Sequence, residues 1–131
     1  MVGVDPAPSM IGVAWRSTDD ERLRVLPAVA ERLPFRDGSF DLVVSTTSFD
    51  HWSDQLAGLR ECARVLVPGG RLVLVDQFSL WLAPTLLAGR RGRARTKGRV
   101  TSLLGAAGFS SLAWHDLYAL IIKAVTATAG A

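Results

Sequence analysis

Short apolar runs that end at a polar residue recur along the chain, and helical patterns separate them. Three such runs, at residues 2–4, 40–44 and 72–75, end at Asp5, Ser45 and Asp76 respectively. Near-continuous apolar runs are typical of strands that are buried on both faces of a parallel sheet. The pattern therefore predicts an α/β chain, and it places the three polar residues at strand ends, where open α/β sheets bind their ligands.

The segment before the third run predicts an amphipathic helix. Leu56, Leu59, Ala63 and Leu66 recur at helical spacing, and charged residues fall on the opposite face. Residues 68–70 (PGG) then predict the break that turns the chain into the next strand. Strands that alternate with helices in this way favour right-handed βαβ units.

The other elements are predicted from shorter patterns. Residues 25–29 are predicted as a strand, and Pro27 assigns this strand to a sheet edge because proline cannot donate to a ladder. Residues 78–89 predict an apolar helix, and residues 99–107 predict a helix closed by Gly108. Two final strands, near 109–114 and 117–126, are predicted to form an antiparallel pair.

Composition limits the class of protein. The 131 residues are 49% hydrophobic and 21% charged, which predicts one packed domain over residues 1–131 and excludes a disordered chain. No apolar run reaches the roughly 20 residues of a membrane span, and the first residues lack the order of a secretory signal. We therefore expect a cytoplasmic protein. One cysteine and two distant histidines give neither a disulfide framework nor a set of metal ligands.

The positive charge is concentrated in one short segment. Residues 90–99 carry six Arg and Lys side chains and no acid, whereas the whole chain has a net charge of only +3. No aromatic residue lies between these side chains, so base stacking and nucleic-acid binding are disfavoured. The segment is interpreted as a solvated loop, with attraction of an anionic small molecule as the alternative.

Five stretches, taken in order, resemble one known family. They are VGVDPAPSM, AERLPFRDGSFDLVVS, FDHW, ECARVLVPGGRLVLVD and LLGAAGF, and they are similar to the class I S-adenosylmethionine-dependent methyltransferases, in particular the small-molecule, type 11-like branch. The resemblance implies a Rossmann-like, mostly parallel sheet with helices on both faces and a C-terminal antiparallel strand pair. It also implies S-adenosylmethionine as cofactor and a small, lipophilic molecule as methyl acceptor.

The resemblance begins at the second strand of the family's domain. The family's first strand and its GxGxG-like loop have no counterpart in this sequence, and that strand lies between those matching residues 2–4 and 40–44. Two interior strands would then carry unpaired backbone groups. The gap closes by direct pairing, is filled by a second copy or a strand-donating partner, or leaves the domain incomplete. The alternative function is therefore an inactive remnant that associates through its exposed central strands.

The resemblance assigns five cofactor-binding residues. Asp5 would accept hydrogen bonds from the ribose hydroxyls, and Met10 would pack on the adenine. Ala30 and Glu31 match the segment that runs past the adenine ring, and Ser45 lies at a strand end beside the reacting centre. Asp5 has a structural alternative as the start of an Asp-Pro turn, and Met10 has one as a core residue of a short helix.

Four more residues are candidates for the chemistry and the acceptor. His51 is suited to accept a proton near neutral pH, and Asp50 would orient its ring. Trp52 and Trp81 are candidate substrate contacts, since an apolar cover suits a lipophilic acceptor and excludes water. The alternative is a helix-start segment in which Trp52 packs in the core and His51 is a polar surface residue.

Overall fold

The computed structural model describes residues 1–78, 96–118 and 122–130, which form two sheets with helices. The strands are β1 (Val2–Asp5), β2 (Arg24–Pro27), β3 (Phe40–Thr46), β4 (Leu66–Gln77), β5 (Phe109–Tyr118) and β6 (Ile122–Ala129). The α-helices are α1 (Pro8–Ser17), α2 (Gln55–Val65) and α3 (Lys97–Ala106), and a short 3-10 helix, η1, covers Phe49–His51.

The strand order confirms the predicted α/β fold and its C-terminal antiparallel pair. Strands β1 and β2 form a parallel pair, and the second sheet has the order β3-β4-β6-β5. Within that sheet β3 and β4 are parallel, whereas β6 is antiparallel to both of its neighbours. Each parallel pair is joined through a helix, as βαβ connections require.

The two sheets do not join through their strands. Within the described residues β1 pairs only with β2, and β3 pairs only with β4. Direct pairing, one of the three outcomes considered for the predicted gap, therefore does not occur between these two strands.

The core lies between one face of the four-stranded sheet and helices α2 and α3. Helix α2 begins where the Asp54 side chain accepts a hydrogen bond from the backbone of Ala57 (3.0 Å), which satisfies a donor that the first turn cannot. Its inner face meets the sheet. The most deeply buried apolar residues of this core are Phe49, Leu59, Leu72, Leu74, Phe78, Val100, Leu104 and Val125. Cys62 lies among them, and burial raises the pKa of its thiol to about 12.

Helix α2 ends earlier than the hydrophobic spacing predicts. The helix stops at Val65, and Leu66 already pairs with Phe40 as the first residue of β4. Residues 68–70 thus belong to the strand, where a Cβ on Gly70 would lie 2.9 Å from the Val67 carbonyl oxygen. Apolar side chains occur both on the buried face of α2 and in the buried strand β4. The hydrophobic spacing therefore does not show where the helix ends and the strand begins.

Three further boundaries differ from the predictions or lie outside the described residues. Strand β2 ends at Pro27, and Val29 forms an isolated bridge with Arg32 instead. Leu117 and Tyr118, which were predicted in the last strand, belong to β5. Alternating polar and apolar positions do not show where one strand ends and the next begins. The helix predicted for 78–89 lies outside the described residues except for Phe78, as do residues 90–95 of the basic segment.

Substitution of Gly58 tests the packing of α2 on the segment before it. A Cβ at this position would lie 2.5 Å from Cε3 of the Trp52 ring, which itself packs edge-on against Phe49 at a centroid distance of 5.0 Å. We expect Gly58→Ala to lower the free energy of unfolding by about 2 kcal/mol, as overpacked cores do. Urea unfolding followed by circular dichroism measures it.

Gly105→Ala is the matched control, because a Cβ there meets nothing within 4 Å on helix α3. Alanine is the better helix former, so we expect a gain of up to about 1 kcal/mol. Equal effects of the two substitutions would contradict the packing of Trp52 on Gly58.

Candidate functional site

Asp5 ends strand β1, and its carboxylate both closes the turn that precedes helix α1 and keeps one oxygen available. The backbone N–H of Ala7 donates to Asp5 Oδ1 at 2.7 Å, which is the turn predicted as the structural alternative. Oδ2 accepts no hydrogen bond from the residues that the structure describes. The two interpretations of Asp5 therefore use different oxygens and are compatible with each other.

Exposed apolar side chains flank this carboxylate along the chain. Met10 lies on α1 and is 53% exposed, which disagrees with its alternative as a core residue. The N–H of Ala28 donates to the Asp5 carbonyl oxygen at 3.3 Å, so the segment that carries Val29 and Ala30 leaves the sheet beside β1. Val29 is also exposed and Ala30 is half-buried. One carboxylate oxygen near uncovered apolar groups fits the adenosyl half of S-adenosylmethionine, a diol attached to a flat purine.

Glu31 binds the start of helix α2. The N–H of Asp54 donates to Glu31 Oε1 at 2.9 Å, across 23 positions of sequence. The bond connects the segment that follows β2 to the helix that follows η1. The contact of Glu31 with the cofactor stays a prediction, and this hydrogen bond gives the residue a positioning role as well.

Arg64 and Glu61 hold the rest of the same segment against α2. Arg64 donates to both carboxylate oxygens of Glu61 at 2.7 and 2.8 Å, to Asp37 at 2.7 Å, and to the carbonyl oxygens of Phe35 and Leu33 at 2.8 and 3.1 Å. Glu61 also accepts from the N–H of Leu33 at 2.8 Å. The guanidinium fork suits this arrangement, because its five donors point outward in one plane.

This cluster shifts the titration of its charged members. The hydrogen bonds from Arg64 hold the pKa of Glu61 below its ordinary value. Glu61 first and Asp37 second raise the pKa of Arg64. The sequence pattern placed Glu61 and Arg64 on the outer face of α2, and their spacing of three residues was the only local signal of an ion pair.

The residue that directly follows β3 has a strained backbone. Thr47 has φ 50°, and its N–H donates to the Val75 carbonyl oxygen of β4 at 2.8 Å. A β-branched residue in this region costs on the order of 1–3 kcal/mol and needs surrounding contacts to hold it. Beside it, the buried Ser45 shares a hydrogen bond of 2.7 Å between its Oγ and that of Ser48. The hydroxyl predicted to face the reacting centre is therefore engaged with a neighbour.

Asp76 is a buried carboxylate at this edge that the predicted site set omitted. Its Oδ2 accepts from the N–H of Asp50 at 3.4 Å, and its Oδ1 accepts from Gln77 at 2.8 Å. Asp76 thereby connects the end of β4 to η1, which carries Asp50 and His51. The run of residues 72–75 that stops at Asp76 was the signal for this position.

The candidate acceptor residues have different surroundings. His51 is exposed, and its backbone N–H donates to the Ser48 carbonyl oxygen at 2.9 Å. The half-buried Trp52 contacts Phe49 and covers Gly58, as in the structural alternative. The catalytic role of His51 with Asp50 and the substrate role of Trp52 stay predictions. Trp81 lies outside the described residues.

The predicted site residues thus lie in two parts of the fold. Asp5 ends β1, Met10 lies on α1, and Ala30 and Glu31 follow β2. Ser45 lies in β3, and Asp50, His51 and Trp52 follow that strand. The bond from Asp54 to Glu31 is one connection between the two parts. In the described ranges no cluster of three His, Cys, Asp or Glu side chains suits a metal, and no helix is long and apolar enough to cross a membrane.

The element order and the sheet topology define a Rossmann-like α/β domain, and comparison with known proteins identifies its family. Residues 1–74, more than half of the chain, match the family described as the methyltransferase domain. The chain belongs to the class I S-adenosylmethionine-dependent methyltransferase family.

Curated relatives agree with that assignment, and a solved structure agrees with the fold. The chain is 44% identical over 78 residues to the demethylmenaquinone methyltransferase of Thermus thermophilus. The matched stretch covers 58% of this chain and 36% of that protein. It is 40% identical over 86 residues to the 27-O-demethylrifamycin SV methyltransferase of Amycolatopsis mediterranei. This match covers 66% of this chain and 31% of that protein. A chain from the complex of the Haloferax volcanii Trm112 methyltransferase activator with a methyltransferase matches with a TM-score of 0.85 at 21% identity, covering 99% and 71%.

The matches cover a limited part of the relatives. The chain spans 36% and 31% of the length of the two curated relatives named above. The likeness to the solved structure, at 21% identity, shows the fold alone.

Replacement of Arg64 by lysine tests the cluster that positions the segment after β2. Lysine keeps the charge but offers three donors from one point, so it cannot serve Glu61, Asp37 and two carbonyl groups together. We expect Arg64→Lys to lower the free energy of unfolding by about 2 kcal/mol. The control is Arg60→Lys on the exposed side of the same helix, with an expected change within about 0.5 kcal/mol. Similar losses in chemical denaturation of both variants would contradict the role of Arg64.

The lowered pKa of Glu61 predicts a pH dependence of stability. A carboxylate whose pKa is lower in the folded state stabilises the protein above its unfolded value, near 4.5, and loses this effect as pH falls through the folded value. We therefore expect the deficit of Glu61→Gln, measured by urea unfolding, to be largest at neutral pH and to shrink below pH 4.5. The exposed Glu21→Gln is the control, and a deficit in Glu61→Gln that does not change with pH would disprove the interpretation.

Proposed function

We propose that the chain binds S-adenosylmethionine and contributes to methyl transfer to a small, lipophilic acceptor. The observation that carries the proposal is Asp5 at the carboxyl end of β1, with Oδ2 available to a ligand. The exposed Met10 lies on the next helix, and Ala28, two residues before Ala30, donates to the Asp5 carbonyl oxygen. Ligands of open α/β sheets bind at this edge. A small lipophilic acceptor is supported by the names of two relatives, a demethylmenaquinone and a demethylrifamycin methyltransferase.

The residues of the chain have separate tasks in this proposal. Bound S-adenosylmethionine supplies a methyl group on a positively charged sulfur, so the protein mainly orients the reactants. Asp5 accepts hydrogen bonds from both ribose hydroxyls, and Met10 and Ala30 cover the purine. Glu31 holds this segment on α2 through Asp54.

Proton transfer is assigned to the segment after β3. His51 is exposed at the end of η1, from where it accepts a proton when the acceptor must lose one. Asp50 orients the imidazole, and the buried Asp76 holds the backbone of Asp50 in place. Ser45 lies behind this segment and supports it through Ser48. The cytoplasmic location stays a prediction of the sequence.

The variant Asp5→Asn tests cofactor binding without disturbing the helix start. The amide oxygen of asparagine still accepts from Ala7, whereas the charge and the second acceptor are lost. We expect the affinity for S-adenosylmethionine to fall by about tenfold, since hydrogen bonds to charged groups contribute about 1.5–3 kcal/mol. Isothermal titration calorimetry at two temperatures measures it, and the melting temperature shows whether the fold is intact.

Asp19→Asn is the matched control, because Asp19 is an exposed aspartate in the loop between α1 and β2. It should bind as the unaltered chain does. Absence of heat up to about millimolar ligand at both temperatures would reject cofactor binding by these 131 residues. Equal affinities of Asp5→Asn and the unaltered chain would reject the ribose assignment.

A second candidate function is association with another chain, and the unpaired strands favour it. In the described residues β1 and β3 each have one neighbour. Exposed interior-type strands pair readily with further strands. Sedimentation velocity at micromolar concentration tests for self-association as a homo-oligomer, and binding of added strands tests for a strand-donating partner.

A further inference from the structure

A row of aromatic rings connects η1 to the start of helix α3. Within the residues that the structure describes, the ring of Phe49 lies between those of Trp52 and Phe78, at centroid distances of 5.0 and 6.3 Å. Phe78 in turn contacts Trp114 at 5.3 Å, and the three pairs are edge-on, with interplanar angles of 61° to 88°. Aromatic pairs prefer this arrangement, because the positive edge of one ring meets the negative face of the next. The row ends at Lys97, whose Nζ lies 5.4 Å from the centroid of the Trp114 ring.

The row crosses the four-stranded sheet on the side of its core. Phe49 belongs to η1, which follows β3, Phe78 directly follows β4, and Trp114 lies in β5. Since the strand order is β3-β4-β6-β5, the rings run from the segment after one end strand to the other end strand. Phe49 and Phe78 are each only 1% exposed. In a close-packed interior such rings cannot tilt without displacing their neighbours.

The position of η1 depends on this packing. A single turn of 3-10 helix is too short to be stable by itself. The N–H of Asp50 lies 3.4 Å from Asp76 Oδ2, which is long for a hydrogen bond of this type. The Phe49 carbonyl oxygen accepts from the buried Gln55 side chain at 3.1 Å, which holds the turn at one point. Phe49 is the buried residue of η1, so its ring supplies the apolar contact that holds the turn against the core.

We propose that Phe78 and Trp114 are positioning residues for His51, because the row transmits the position of β5 and of the α3 start to η1. His51 lies two residues after Phe49 in the same turn, so a displacement of the Phe49 ring displaces the backbone of the histidine. Reactions that depend on orientation lose rate sharply when a group moves by about 1 Å. The role in methyl transfer rests on the proposed function, in which His51 accepts the proton. The coupling along the row is independent of that function and is tested separately.

The histidine side-chain signals in an NMR spectrum test this coupling. The chain has two histidines, His51 and His115, so isotope-labelled histidine gives two signals, which the variant His115→Gln assigns. We expect Phe78→Leu to shift or broaden the His51 signal, because leucine offers no ring to the edge of Phe49. Leu72→Val is the matched control, since Leu72 is a fully buried residue of β4 outside the row. A His51 signal that changes equally in both variants, or in neither, would overturn the proposal.

A change at Trp114 tests transmission over the longer distance. Phe78 lies between Trp114 and Phe49, so we expect Trp114→Leu to move the His51 signal through that ring. Trp114→Phe should restore most of the original signal, because it keeps an aromatic ring at this position. In a Phe78→Leu background Trp114→Leu should have little further effect, as coupled residues show in a double-mutant cycle. Equal shifts in both backgrounds would reveal a direct effect of the indole ring and would contradict transmission along the row.

Amide hydrogen exchange measures how firmly η1 is held. The backbone N–H groups of His51 and Trp52 donate to the carbonyl oxygens of Ser48 and Phe49 at 2.9 and 3.3 Å. We expect both amides to exchange about tenfold faster in Phe78→Leu through local opening, and at an unchanged rate in the control variant of β4. Rates that follow the overall stability of each variant would show a purely structural role of Phe78 and would reject positioning.

Calorimetric titration with S-adenosylmethionine separates this proposal from the proposed function. Asp5 lies outside the row, so the unaltered chain and Phe78→Leu should bind the cofactor with the same affinity. Absence of binding in both, together with a His51 signal that moves, would support the row and reject cofactor binding by this chain. Cofactor binding with an unmoved His51 signal in Phe78→Leu would keep the cofactor site and reject the positioning role.

Discussion

The hydrogen bonds from Arg64 to the segment after β2 are the contacts on which the arrangement of the site depends. Strands β1 and β3 do not pair, so the backbone hydrogen bonds of one sheet do not position the other. Arg64 lies on α2 and holds the segment by the carbonyl groups of Leu33 and Phe35. Its ion pair with Glu61 on the same helix orients the guanidinium. Because a guanidinium donates in fixed directions, it restricts both the distance and the angle of this segment relative to α2.

The same segment connects the two groups of candidate residues. Glu31 accepts from Asp54, and Asp54 in turn caps α2 through Ala57. A shift of the residues assigned to the purine therefore moves the helix start that follows His51. At the end of β4, the Asp76 carboxylate accepts from the backbone N–H of Asp50 and so holds η1. Such bonds between distant segments hold the two sets of candidate residues at a constant separation, which the proposed orientation of reactants requires.

Local pattern predicted the strands, the polar strand ends and the antiparallel strand pair at the C-terminus. The hydrophobic period also placed Arg64 on the outer face of α2. It did not show that residues 33–37 lie over that face, because the partners are 27 to 31 positions away along the chain. Nor does a threonine indicate a positive φ at Thr47, since the contact that holds it comes from Val75. Long-range contacts of this kind have no signal in a single sequence.

Asp5 ends β1 and Ser45 lies in β3, so the candidate residues come from two strands that do not pair with each other in the described residues. Side-chain bonds from Arg64 and Glu31 hold the intervening segment against α2, where a shared backbone ladder would otherwise fix the two strand ends. Loss of these bonds should therefore weaken binding of a ligand that spans both strand ends, although neither side chain has to touch that ligand.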